Sequence, residues 1–199
     1  MKNYYRAAFL WTFTLGLALV PTLAQAHPGV HHTAGFGQGL SHPLSGLDHV
    51  LAMLAVGLWA AQLGGRAIWC VPASFVGMMT LGAALGFAGV NVPGVEQSIL
   101  ASVLVLGLFL AAAVRLPLAA SVVLVAVFAF FHGSAHGAEM SRDSSALACG
   151  AGFLLATTAL HGVGLSLGLL ARKAAQTPLL RVSGAAIATI AVLLALGLL

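Results

Sequence analysis

Residues 116–139 read LPLAASVVLVAVFAFFHGSAHGAE. From Leu116 to Phe131 this stretch holds no charged side chain, and it then delivers His132, His136 and Glu139. In a helix, positions i, i+4 and i+7 share one face. An apolar run long enough to enter a bilayer, closed by two imidazoles and a carboxylate on one stripe, predicts a membrane helix that carries metal ligands at its end. That reading decides the fold, and the rest of the chain is consistent with it.

Of the 199 residues 60% are hydrophobic and only 6% charged, with a mean hydropathy of +1.05. A soluble domain carries about 25% charged residues, so water is the wrong solvent for this surface. Spans need about 20 apolar residues each, and uninterrupted apolar length gives about six after a leader. They run Leu44–Leu63, Ala67–Val90, Glu96–Val114, Leu116–Phe131 with its polar extension to Glu139, Ser145–Ala171 and Pro178–Leu199. The expected fold is all-α, a polytopic transmembrane helical bundle forming a single domain over 27–199. Pro72 is expected near the start of its span, where a missing N–H costs least. Gly77, Gly82, Gly86 and Gly89 supply the small-residue spacing that lets helices approach closely in lipid.

Lys2 and Arg6 precede an apolar run from Ala7 to Leu23 that closes on Ala24-Gln25-Ala26, the pattern of a cleavable signal peptide over 1–26. Cleavage there leaves His27 at the mature N-terminus outside the cytoplasm, within a short His-rich stretch that includes His31 and His32. Loops then alternate sides. Those facing inward carry Arg66, Arg115, Arg172, Lys173 and Arg181. The outward ones carry Arg142 with Glu96, Glu139 and Asp143. Basic residues concentrate on the cytoplasmic side of bacterial membrane proteins, so the expected location is the inner membrane, multi-pass, with the N-terminus in the periplasm. The net charge of +4 is explained by this orientation, and nucleic acid is not an indicated partner. Cys70 and Cys149 fall at span starts on opposite faces and read as small apolar residues.

A second polar group opens the first mature span: Ser41-His42-Pro43-Leu44-Ser45-Gly46-Leu47-Asp48-His49. In one continuous helix His49 lies two turns beyond His42 on nearly the same face, with Met53 a turn further on and Asp48 rotated about 100° away. By the alternation of loops this group shares the extracytoplasmic face with His132, His136 and Glu139. His161 lies deeper, inside the fifth span. Imidazole nitrogen with carboxylate oxygen suits borderline divalent cations such as nickel, cobalt and zinc. Ionisable groups in a bilayer cost at least ~2.5–3.5 kcal/mol each on insertion scales, and several together mark an ion pathway. The candidate metal-site residues are therefore His42, Asp48, His49, His132, His136, Glu139 and His161. Other chemistries stay open: an intramembrane metal-dependent hydrolase built on three histidines, a carboxylate and a bound water, or a haem-binding carrier with histidine axial ligands.

The run from His42 to Gly57, HPLSGLDHVLAMLAVG, resembles the signature of the HupE/UreJ family of nickel/cobalt permeases. His132-Gly133-x-Ala135-His136-Gly137-x-Glu139 and His161-Gly162 are similar to that family's later motifs. The resemblance implies a secondary transporter rather than an enzyme, with no cofactor and with Ni2+ or Co2+ as transported substrate, often for hydrogenase, urease or cobalamin synthesis. It marks His42, Asp48, His49, His132, His136 and Glu139 as functional. Capture at the periplasmic face followed by passage past His161 is the expected route.

Overall fold

Within a bilayer there is no water to bond main-chain N–H and C=O groups, so each apolar run satisfies them internally by forming a helix. The computed structural model describes residues 35–140, 145–175 and 177–199. The signal peptide expected over 1–26, the histidines His27, His31 and His32, and Arg142 with Asp143 lie outside the described residues. Seven helices fill the described part: α1 Phe36–Ser45, α2 Leu47–Leu63, α3 Ala67–Phe87, α4 Val95–Ala112, α5 Leu118–Glu139, α6 Ala146–Lys173 and α7 Thr177–Ala195.

The bundle is all-α. Helices α3 to α7 are each long and apolar enough to cross a membrane, and α1 with α2 makes a sixth unit bent by 87° at Gly46. That bend corrects the expected first span. Leu44–Leu63 is not one helix: His42 and Pro43 belong to the last turns of α1, and Gly46, extended at φ −104° and ψ 120°, separates them from α2. His42 and His49 therefore sit on different helices, and no shared helical face joins them. A Cβ on Gly46 would come within 2.8 Å of both Asp48 Oδ1 and His49 Nδ1, so glycine leaves room for that pair beside the bend. Pro72 falls where the expected span put it, as the sixth residue of a helix that starts at Ala67, but this is past the turn whose N–H groups are unbonded anyway, so it deprives the Ile68 carbonyl of its helical donor.

Helix α2 is the axis of the bundle, with 12 of its 17 residues buried. Trp59, Met53 and Val56 are wholly enclosed, while the outer helices turn Trp69, Val123, Leu147 and Val182 outward, as lipid contact requires. Without a hydrophobic drive between helices in lipid, small residues set the closest contacts. Gly82 and Gly86 of α3 lie against the carbonyls of Phe130 and Ser134, and Gly133 and Gly137 of α5 lie against those of Met79 and Ala83. The same reciprocal contact joins α2 to α6 through Gly57 and Gly164, α1 to α6 through Gly39 and Gly152, and α4 to α7 through Gly107 and Gly184. Of the four glycines named from spacing, Gly77 faces open space, and Gly89 has φ +90° beyond the end of α3.

The described charges are fully segregated. Asp48, Glu96 and Glu139 lie at the end where α2 and α4 begin and α5 finishes. Arg66, Arg115, Arg172, Lys173 and Arg181 lie at the other. Two of these cations close helix ends: Arg172 Nη1 donates to the Ala61 carbonyl at 2.5 Å and Arg181 Nε to the Ala111 carbonyl at 2.9 Å. These are the last turns of α2 and α4, where unpaired carbonyls and the helix dipole favour positive charge.

Candidate metal site

The glycine contact between α3 and α5 fixes the rotation of α5. With Gly133 and Gly137 turned to α3, the residues one step earlier, His132 and His136, are rotated by about 100° toward the bundle centre. Both are buried. Helix α1, held on α6, brings His42 across the top of α5, and the first turn of α2 brings His49 beside it.

Three helices, α1, α2 and α5, thus contribute to one row of imidazoles. His42 Nε2 is 3.0 Å from Glu139 Oε2, and His136 Nδ1 is 3.8 Å from the same oxygen. Ring centroids are 4.8 Å apart for His42 and His136, 4.3 Å for His136 and His49, and 5.3 Å for His49 and His132. Exposure is greatest at Glu139, 57%, and His42, 36%, smaller at His49, 14%, and least at His136, 5%, and His132, 0%. The sequence therefore runs from a wet mouth to a dry interior. His161 does not join the cluster. It is buried on α6, and the ring of Phe75 packs against both it and His132, with its centroid 4.8 Å from His161 and 5.4 Å from His132.

The hydrogen bonding of these rings is incomplete. His132 Nδ1 pairs with the Phe128 carbonyl at 3.0 Å, and His49 Nδ1 lies 2.8 Å from Asp48 Oδ1. Asp48 Oδ1 also accepts the His49 main-chain N–H. Among the described residues, no hydrogen-bond partner is found for His49 Nε2, His132 Nε2, either nitrogen of His136 or either nitrogen of His161, though His136 Nδ1 keeps its 3.8 Å ion-pair contact with Glu139. A buried polar atom without a partner costs about 1–3 kcal/mol. Six such nitrogens lie on four rings, and since a neutral imidazole has one lone-pair nitrogen, each ring has one ligand atom to offer to something other than protein.

Ligand atoms of His42, His136 and Glu139 all lie within 4.8 Å of one another. Donors at about 2.0–2.2 Å from one metal stand about 3.0–3.6 Å apart in a tetrahedral or trigonal arrangement, so the three side chains have to close by up to about an ångström to grip one cation. Asp48 is arranged differently. Its carboxylate turns back onto His49 Nδ1, the position of a partner that orients an imidazole and leaves Nε2 to bind. Met53 is wholly enclosed in the core.

Sequence reasoning named the polar residues of this region and missed the apolar ones that frame it. Phe75 packs against two histidines, and the ring of Phe153 packs 4.3 Å from His136. Nothing separates either phenylalanine, in sequence, from one that faces lipid.

The family described as HupE / UreJ protein matches residues 15–194. The chain belongs to the HupE/UreJ family. A curated relative, "Protein HupE" from Rhizobium leguminosarum bv. viciae, is 45% identical over 177 residues, covering 89% of this chain and 92% of the relative. No solved structure matches it. HupE/UreJ proteins are transporters, which sets aside the hydrolase reading of the histidines. Family and His/His/Glu triad together describe a metal-handling membrane permease.

Proposed function

We propose that this HupE/UreJ protein takes up nickel or cobalt ions across the bacterial inner membrane as a secondary permease, capturing them at a periplasmic mouth. The observation that carries this reading is the row of unpartnered imidazole nitrogens behind the His42–His136–Glu139 triad. Nitrogen and carboxylate donors suit borderline divalent ions, and no thiolate is among them. His42, His136 and Glu139 form the capture site. His49, oriented by Asp48, and His132 receive the ion next, and His161 takes it toward the cytoplasm. Neighbouring sites of partial coordination let an ion enter and leave, whereas a closed four-ligand site would hold it.

The orientation rests on charge. All described basic residues lie at the end away from the triad, and basic residues favour the cytoplasmic side, which supports a periplasmic triad. A divalent cation moving inward gains about 2.3 kcal/mol per charge for each 100 mV of membrane potential, enough to drive uptake without a nucleotide.

The test is uptake of radioactive nickel into proteoliposomes, comparing native protein with His49→Ala and His136→Ala and adding cobalt or zinc as competitors. The native protein is expected to concentrate the label and both variants to lose it. Undiminished uptake by both variants would refute the site.

A further inference from the structure

We propose that Phe75 is the barrier of the pathway: its ring closes the passage between His132 and His161 and sets the rate at which metal crosses. The inference rests on the transport reading above and adds to it a residue that no ligand pattern picks out.

The phenylalanine ring is wholly buried and touches two imidazoles, tilted at 60° to His132 and near perpendicular at 74° to His161. Among the described residues it is through this ring, and not through direct contact, that His132 meets His161. A phenyl face attracts a cation through its quadrupole but offers no lone pair to replace an imidazole. The structure therefore holds two groups of ligands with an apolar constriction between them, and apolar constrictions are a common means of gating. The wall continues toward the triad. One turn from Phe75 on α3 lies Met79, and one turn from His161 on α6 lies Thr157. The Thr157 hydroxyl donates to Met79 Sδ at 3.9 Å, and both residues are enclosed.

Two features let this segment move. Pro72, one turn before Phe75, interrupts the main-chain bonding of α3. Outside the same stretch lies a groove of about 530 Å³ between α3 and α6, bordered by Ile68, Trp69, Pro72, Val76, Gly77 and His161 and opening on the outward-facing side of α3. His161 thus touches the closed ring and borders this outer groove, where there is room for α3 to shift. A small swing of α3 about Pro72, or a rotation of the ring, joins the two ligand groups.

A barrier controls flux without controlling capture, and this separates it from a packing residue. Purified Phe75→Ala and Phe75→Trp would be measured for nickel binding by calorimetry and for nickel uptake in proteoliposomes, with native protein and His136→Ala alongside. The expected result is native binding in both, uptake raised about tenfold in Phe75→Ala, a barrier lowered by about 1.4 kcal/mol, and uptake slowed in Phe75→Trp. Unchanged or reduced uptake by Phe75→Ala with normal binding overturns the barrier. If Phe75→Ala loses binding through a collapsed core, Phe75→Leu keeps most of the volume and takes its place: native uptake there overturns the proposal and faster uptake supports it. Should native protein move no nickel or cobalt, or His136→Ala move it undiminished, the transport reading itself fails, a result distinct from the Phe75 outcome.

Discussion

His42 Nε2 and Glu139 Oε2, 97 positions apart in the chain, lie 3.0 Å from each other at the mouth of the bundle. Neither residue is placed by its own helix alone. His42 reaches the site because α1 breaks from α2 at Gly46, and Glu139 because α5 runs to its final turn with the glycine face against α3. Substitution of a mere outer partner of a metal ligand lowers affinity about 10–100-fold, so we predict at least that loss of nickel affinity for Glu139→Gln and for His42→Ala. Because both act on one ion, Glu139→Gln with His42→Ala together is expected to cost much less than the sum of the two, as groups sharing a partner do. Calorimetric titration of the two single variants and the double variant checks this, and strict additivity would break the pairing.

Asp48 has a different expected signature. Its carboxylate accepts from the His49 side chain and main chain and so fixes which ring nitrogen of His49 faces the row. The predicted effect of Asp48→Asn is a drop of about 10–100-fold in metal affinity with the bundle intact. His49→Ala on top of Asp48→Asn should add little, because the aspartate acts through that ring. A large further loss would make Asp48 a ligand in its own right.

Much of this architecture was legible from residue chemistry. Apolar length placed α3 to α7 to within a few residues, because a lipid-facing helix must be apolar along its whole length. The break at Gly46 was not legible. His42, Pro43 and Leu44 read naturally into the following helix, and only tertiary contact of α1 with α6 through Gly39 and Gly152 selects the bent form. The seven candidate ligands were legible as chemistry, since each is polar in an apolar segment. Their separation into a cluster of six and an isolated His161 was not, because the divider is a phenylalanine, and apolar residues are the background from which sequence reasoning distinguishes sites.

Glycine close contacts give a prediction about stability. A Cβ at Gly133 would run into the Met79 carbonyl, and one at Gly82 into that of Phe130, whereas Gly77 has nothing within 4 Å. Overpacking typically costs about 1–3 kcal/mol. Gly133→Ala and Gly82→Ala are therefore expected to lower the thermal midpoint in detergent and to reduce metal binding, since the α3–α5 contact aims His132 and His136. Gly77→Ala should leave both unchanged or raise the midpoint slightly, because alanine favours a helix by about 1 kcal/mol over glycine. Equal behaviour of the three variants, followed by differential scanning fluorimetry, would remove the glycine contacts from the account of how the site is aimed.

Orientation is open to a direct chemical test at two exposed positions on opposite ends of the bundle. Asn91 lies in the turn between α3 and α4, beside a cavity that Glu96 and Glu139 also line. Ala175 follows α6 next to Arg172 and Lys173. With Cys70 and Cys149 first replaced by alanine, Asn91→Cys and Ala175→Cys each offer a single thiol. The basic end of a bacterial membrane protein is retained in the cytoplasm, so a membrane-impermeant maleimide added to intact spheroplasts is expected to label Asn91→Cys and to reach Ala175→Cys only after permeabilisation. The reverse pattern would place the triad in the cytoplasm. Glu139 and His42 would then stand where an inward-moving ion leaves, and the electrical driving force would oppose rather than assist its approach to them.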